Sequence, residues 1–430
     1  MIHGVTYWRM IMTNADTVSV LELTLHATTV GYLAGHRDGR TTLTFAPEFI
    51  SNEARPTFSL ITHSAFPKAA EIMAKPWVKR QRLHPVLSNL LPEGALRDYL
   101  AQALKTHSDN EFELLTYLGR DLPGALIATA IEPDAVPGYV LDDTARASAT
   151  KAIVQNEKKH FSLAGVQMKF SMREQDGRYH IADSGALGDW IIKTPSTTHK
   201  HVPLNEFTTM RLAKLAGVNI PDIRLVEMDK LKQLPAINLP NEHYAFAIRR
   251  FDRQQEQRIH MEDFAQVLVK YPQDKYRSGN YRQIGKILYD YAEDGLGDVQ
   301  QLARRLLVNI LLANGDAHLK NWSVIYPDTV TPVLSPAYDI VTTRAYMGDE
   351  REIALNMGKD KNWYVASLEQ FEYWSGKTRI PWRAIKPHLL DTMDKARSLW
   401  RDKLKELPMD EEHKAGLVKH WQNLHADFRV

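Results

Sequence analysis

The sequence predicts an α+β chain in which strand-rich stretches come first and helices last. Three observations carry that reading. Strand-like runs at 18–25, 41–45 and 58–61 are followed by helical runs at 96–104 and 111–118, which outlines a compact N-terminal α/β subdomain over 1–130. Residues 161–255 form a second strand-rich stretch with one clear helix. From 256 to 430 the pattern is almost wholly helical, broken by a polar segment at 314–343. Pro133, Pro137 and Gly138, followed by a polar run, place a linker at 131–160.

Each element has a local cause. Glu174-Gln175-Asp176-Gly177 separates 168–172 from 178–182, and Asp-Gly is a strong hairpin turn. Residues 190–193 (WIIK) form a third strand that ends on Lys193. The next helix, over 204–216, carries Glu206 in its first turn and stops at Gly217. Residues 301–313 (QLARRLLVNILLA) are apolar on all sides, which predicts a buried helix ending at Asn314-Gly315. Residues 322–326 and 330–334 flank Pro327-Asp328-Thr329 as a short hairpin. Helical runs at 389–404 and 413–428 complete the chain, their apolar positions read as core.

Composition narrows the class. At 430 residues, 44% hydrophobic and 25% charged, the chain is long enough for two or three cored domains. It has no cysteine, so disulfides and thiolate metal sites are excluded, and a cytoplasmic setting is expected. No stretch approaches a membrane span, and the N-terminus lacks the basic start and long apolar core of a signal peptide. Fifty-four basic and 52 acidic residues nearly balance, which gives no global case for nucleic acid. Basic residues do cluster at 68–82, and at 270–286 with Tyr271, Tyr276 and Tyr281 interleaved; both clusters read first as solvated faces. Seventeen histidines include no H-E-x-x-H or comparable zinc pattern.

The polar segment carries the chemistry. Asp316 and Asn321 stand five residues apart in NGDAHLKN, and Asp339 follows 23 positions after Asp316. Asp-x₄-Asn is the spacing of a kinase catalytic loop, and the later Asp stands where the D-F-G aspartate would. Phosphoryl transfer from ATP needs one carboxylate to orient the attacking hydroxyl and two oxygen ligands to hold Mg²⁺ against the phosphates. The intervening hairpin folds the chain back, so Asp339 can approach Asn321. His318, between them, is expected to orient the loop through a hydrogen bond rather than to bind metal. Upstream, a hairpin followed by a strand ending in lysine outlines a nucleotide-binding lobe. Lys193 would contact α/β-phosphates, and Glu206 would hold it. The expected core is therefore bilobal and protein-kinase-like, with a nucleotide lobe at 161–255 and a helical catalytic lobe at 256–430. The loop 162–167 has a single glycine, Gly165, and fails the G-x-G-x-x-G rule.

Several stretches together resemble the HipA family of bacterial toxin serine/threonine kinases. They are Ser162-Leu163-Ala164-Gly165-Val166-Gln167-Met168-Lys169, the strand 190–193, Asn205-Glu206-Phe207, Arg250-Phe251-Asp252-Arg253, 314–323 and 334–340. In the N-terminal third, Gly31-Tyr32-Leu33-Ala34-Gly35, Leu90-Leu91-Pro92-Glu93-Gly94 and 117–125 are also similar to that family. The resemblance implies an ATP- and Mg²⁺-dependent kinase that phosphorylates a protein hydroxyl. Family targets include aminoacyl-tRNA synthetases. It implies a HipB-like DNA-binding antitoxin as partner, with DNA contacted only through it. By the same resemblance Asp316 is catalytic, Asn321 and Asp339 bind Mg²⁺, and Lys193 binds phosphate. Ser162, Ala164, Gly165, Val166 and Gln167 would line the nucleotide with Glu206 and His318, Arg249 to Phe251 would lie beside adenine, and Ser162 would be autophosphorylated. Where family members often carry Glu before Arg-Phe-Asp, this chain has Arg249, so a side-chain role there is not carried over.

Two other functions share parts of this pattern. Aminoglycoside-kinase-type phosphotransferases also carry D-x-H-x-x-N. An inactive kinase-like co-repressor would need only to bind an antitoxin. The 162–169 stretch and the N-terminal subdomain favour a protein kinase over the first, and the joint presence of Lys193, Asp316, Asn321 and Asp339 argues against the second.

Overall fold

The computed structural model describes residues 17–152, 167–181, 187–234 and 238–430. Ser162, Ala164, Gly165 and Val166 lie outside them. The N-terminal part is built on a five-stranded antiparallel sheet. Its spatial order is Trp77–Arg80, Arg40–Phe45, Thr28–His36, Val18–Leu25 and Leu126–Ala130. Leu21, Leu23 and Leu25 alternate along one face, as a half-buried strand requires. They pack with Leu100, Leu114 and Leu115 of the helices Gly94–Ala103 and Glu111–Leu118. Thr28–His36 was not anticipated as a strand.

Residues 58–61, expected as a strand, instead hold a 3₁₀ turn at Leu60–Thr62. The backbone N–H of Leu60 donates to Glu262 at 2.7 Å, and Ser59 and Thr62 hydrogen-bond each other across the turn. A strand ladder there would compete for the same groups. The described part of the expected linker packs down: Val136 and Leu141 join Val18, Val20 and Ala34 in a small core, and the Thr150 N–H donates to the Val18 carbonyl at 2.8 Å.

The second sheet has six strands, in the order Leu231–Lys232, Arg178–Ile181, Lys169–Gln175, Trp190–Lys193, Tyr244–Arg249 and Ile223–Glu227. The hairpin turn takes Asp176 and Gly177 to φ 52° and 73°, the left-handed pair that Asp-Gly supplies. Helix Val202–Leu215 packs on this sheet; it starts at Val202, so Glu206 falls just beyond the first turn. The last part holds helices Tyr281–Tyr291, Gly295–Leu311, Leu368–Thr378, Trp382–Glu406 and Glu411–Asn423. It also holds a small sheet in which His260–Asp263 pairs with Ser323–Tyr326, and Ser323–Tyr326 with Val333–Leu334.

One apolar core runs from Met210 and Leu212 of the first lobe's helix to Trp400 and Trp421 of the second. Trp400 Nε1 donates to the Leu212 carbonyl at 3.0 Å, and Trp421 Nε1 to that of Leu311 at 2.8 Å. The helix carrying Glu206 is thus anchored to both lobes. Among the described residues no helix is long and apolar enough to cross a membrane.

Candidate active site

Among the described residues, Gln167, Lys193, Arg249, Phe251, Asp316, His318, Asn321 and Asp339 line a cleft of about 2100 Å³ between the lobes and the N-terminal part, and Glu206 touches it through Lys193. Lys193 ends its strand opposite Lys169 on one neighbour and Phe246 on the other. Its ammonium lies 5.6 Å from the Phe246 ring centre and donates to both Glu206 and Asp339. Lys169 reaches the other Asp339 oxygen at 3.3 Å. Lys193 and Glu206 are almost wholly buried, at 4% and 2% exposure. Burial alone would strip the Lys193 charge, yet Asp339 and Glu206 outweigh it and push its pKa up. Burial would raise Asp339 too, but Lys169 and Lys193 hold it well below the usual carboxylate range. Two lysines directly opposite in a sheet repel, so this geometry is stable only around anions.

The Glu206 helix is stitched to the Asp339 segment. Asn205 Nδ2 donates to the Thr342 carbonyl at 3.2 Å and its Oδ1 accepts from the Thr342 N–H at 3.0 Å. The Thr209 hydroxyl donates to the Ile340 carbonyl at 2.5 Å. Asp339 itself sits at φ 53°, an uncommon conformation that Asp tolerates better than most residues. The Asp316 loop is tied to the same segment: the Gly315 N–H donates to the Thr343 hydroxyl at 2.8 Å, and Asn314 Nδ2 to the Asp339 carbonyl at 3.4 Å.

Within the loop, Asn321 Nδ2 donates to the Asp316 carbonyl at 2.7 Å. That orients the amide and leaves Oδ1 without a donor among the described residues. Asn321 Oδ1 and the Asp339 carboxylate, whose oxygens here pair with Lys193 and Lys169, could serve as hard oxygen ligands for a Mg²⁺ whose shell phosphates and water complete. Among the described residues, no three His, Cys, Asp or Glu side chains group closely enough to hold a metal by themselves. The Asp316 carboxylate is half exposed and accepts from the Tyr276 hydroxyl.

His318 departs from expectation. Its side chain makes no hydrogen bond among the described residues: Nδ1 is buried without a partner and Nε2 lies 3.9 Å from Asp316. The ring packs edge-on against Tyr276, with centres 4.9 Å apart. Burial pushes its pKa down to about 4, so it is neutral at pH 7. The backbone, not the imidazole, shapes the loop, through Asn321 N–H to His318 C=O at 2.9 Å.

Arg249 is exposed, its guanidinium 5.9 Å from the Trp190 ring centre. The N–H groups of Arg249 and Arg250 are both taken, by the carbonyls of Asp222 and Asp189. Of the expected adenine segment, Phe251 lines the cleft beside Ile191 and Ile248 and packs against Tyr338 at 5.6 Å. Gln167 also lines the cleft, its Nε2 buried without a partner among the described residues.

Sequence reasoning missed the role of the neighbouring Asp252. It is buried and accepts from Arg250 at 2.9 and 2.7 Å, from Arg253 at 2.8 Å and from the Gly124 N–H at 2.8 Å. Burial opposes its charge, but Arg250 and Arg253 hold it down at about 2. Arg253 also donates to the carbonyls of Leu122 and Gly124. Gly124 sits at φ 75°, and a Cβ there would meet the Met261 backbone at 2.8 Å. The Arg-Phe-Asp-Arg run therefore clamps the N-terminal part to the segment that follows strand Tyr244–Arg249. Its three charges over four positions, in a stretch that also carries the family resemblance, were the signal in the sequence.

A strand-rich lobe, a helical lobe and a buried Lys–Glu–Asp cluster between them define a kinase-like protein. Comparison with known proteins sharpens this. Residues 161–400 match the model of the HipA-like C-terminal domain, and 21–129 that of the HipA N-terminal domain. The chain is 39% identical over 397 residues to the putative kinase Y4dM of Sinorhizobium fredii, covering 91% of this chain and 94% of that one. It is 28% identical over 326 residues to the serine/threonine-protein kinase toxin HipA of Shewanella oneidensis, covering 68% and 70%. A solved Shewanella oneidensis complex of HipA, HipB and operator DNA shares the fold at TM-score 0.69 and 20% identity, over 93% and 94% of the chains. The protein belongs to the HipA family of kinases.

Proposed function

We propose that this protein is an ATP- and Mg²⁺-dependent serine/threonine protein kinase and the toxin of a toxin–antitoxin pair. The buried Lys193–Glu206–Asp339 cluster carries the reading, because a fold needs no such concentration of charge for stability. ATP supplies the phosphoryl group, and Mg²⁺ neutralises its charge. Glu206 holds Lys193 extended toward the phosphates. Asn321 and Asp339 present oxygens to the metal, and Asp316 orients the acceptor hydroxyl and takes its proton. Ile191, Ile248 and Phe251 form an apolar slot suited to adenine. Ser162, seven positions before Lys169 in the sequence, is the self-phosphorylation site; a phosphate there adds about −1.5 to −2 charges and repels nucleotide. The acceptor is a translation-related protein, an aminoacyl-tRNA synthetase among the candidates, and a HipB-like DNA-binding antitoxin is the restraining partner.

Turnover of radiolabelled ATP by wild type and Asp316→Asn, in the presence of cell lysate, tests this. Labelled protein bands that fall about 10²- to 10⁴-fold in the variant are expected, the range for loss of one proton-transfer group. Label confined to small molecules would instead support an aminoglycoside-kinase-type phosphotransferase. No turnover at all would leave a non-catalytic co-repressor. Intact mass of wild type beside Ser162→Ala reads out self-phosphorylation.

A further inference from the structure

Tyr276 is fastened at the catalytic loop by several independent contacts. Its hydroxyl donates to Asp316 Oδ1. Its ring stands edge-on to His318, and Lys275 lies 5.7 Å from its centre. Behind it, the Lys275 carbonyl accepts from the Leu319 N–H at 3.2 Å, while the Lys275 ammonium pairs with Glu93 at 2.8 Å. Five residues on, the Tyr281 hydroxyl donates to the Ala317 carbonyl at 2.8 Å. The 275–281 segment thus runs alongside 316–321 and delivers one phenol to one carboxylate. Burial and the Asp316 charge push the Tyr276 pKa up, so it stays a donor.

That hydrogen bond, hydroxyl to Asp316 carboxylate, is the one an acceptor hydroxyl must make in order to be oriented. We propose that Tyr276 is a placeholder for the acceptor, occupying its hydrogen-bonding position on Asp316 until the true hydroxyl displaces it. This rests on the role assigned to Asp316 above. Tyr276 is 45% exposed, so its ring can turn outward without opening a core. Tyrosine suits the task better than serine because its long rigid ring spans the gap from a neighbouring segment. While the phenol is seated, it fills the position on Asp316 Oδ1 that an attacking water would take, and so suppresses wasteful ATP hydrolysis.

The test needs no knowledge of the natural acceptor, because water can replace it. Inorganic phosphate release over many turnovers is measured with the full chain, ATP and Mg²⁺ alone. Wild type, Tyr276→Phe, Asp316→Asn and the double variant are compared. Phenylalanine keeps the ring against His318 and removes only the hydroxyl. Expected is a roughly tenfold rise in the maximal rate for Tyr276→Phe, the scale of one hydrogen bond to a charged group. The KM for ATP should not change, and both Asp316→Asn chains should be inactive. Equal or slower release by Tyr276→Phe, with Asp316→Asn inactive, overturns the placeholder while leaving the kinase reading intact. Undiminished release by Asp316→Asn overturns the role of Asp316 and the placeholder with it. Phosphate found on Tyr276 by peptide mapping also overturns it, since the phenol would then be a substrate.

Discussion

Lys193 is the residue on which the candidate site turns, since it joins a carboxylate from each side of the cleft. Replacing it with methionine removes the proposed phosphate contact and leaves Glu206 buried without its partner. We expect turnover to fall by at least about 10²-fold, as for loss of one electrostatic contact in a dry site. Stability should fall by roughly 3–5 kcal/mol, the cost of stranding a buried charge. Glu206 would escape by taking up a proton, so its folded pKa would lie above the unfolded one. The variant should then melt higher near pH 5 than near pH 8. Adding Glu206→Gln should restore the melting temperature at pH 8 but not the turnover. Equal melting of the single and double variants at pH 8 would refute this. Asp316, Asn321 and Asp339 were legible as candidates from spacing, and Lys193 from its place at the end of a strand. The pairing of Lys169 with Asp339 and of Tyr276 with Asp316 was not, because those partners are 170 and 40 residues apart.

At the scale of elements, Lys320 pins the 314–321 loop to the N-terminal part. Lys320 donates to the Asn89 carbonyl at 2.8 Å and pairs with Asp263 at 3.2 Å and Glu93 at 3.4 Å. Lys320→Met should cost about 2 kcal/mol of stability, the scale of charge-assisted hydrogen bonds. It should also lower maximal turnover by loosening Asp316 and Asn321, with little change in ATP affinity. Urea unfolding and steady-state kinetics check both arms; a variant with wild-type turnover would show that the pin is structural only. Hairpins with local turn chemistry, such as the one around Asp176-Gly177, were readable because neighbours in sequence decide them. His260–Asp263 was not, since its pairing strand lies some 60 residues on. Thr28–His36 holds two glycines that dilute the strand signal, and 58–61 lost its strand to the distant carboxylate of Glu262.

For the whole molecule, Glu262 is one of the contacts that couple the N-terminal part to the helical lobe. It is buried and accepts from Ser59, Leu60 and Tyr326. Burial pushes its pKa up from 4.5 to about 7, against the pull of those donors. An acid whose pKa rises on folding binds its proton more tightly when folded. Stability therefore falls as pH climbs from about 4.5 to 7 and stays at the lower level above, by up to about 3 kcal/mol at about 1.4 kcal/mol per pH unit. Glu262→Gln should remove that slope, so the variant's melting temperature should gain on the wild type's between pH 5 and 8. A difference independent of pH would disprove it.

From the amino-acid order alone came the α+β class, the kinase-like sequence of parts and the identity of the polar residues that could act. These depend on period, turn chemistry and spacing, which are properties of neighbours along the chain. The tertiary structure decided which of those residues touch. It closed Lys193 onto Glu206 and Asp339, set Tyr276 on Asp316, and turned Asp252 and Glu262 into fastenings for the N-terminal part. Burial creates those contacts, because a charge taken out of water must find its counterpart wherever in the chain that counterpart lies.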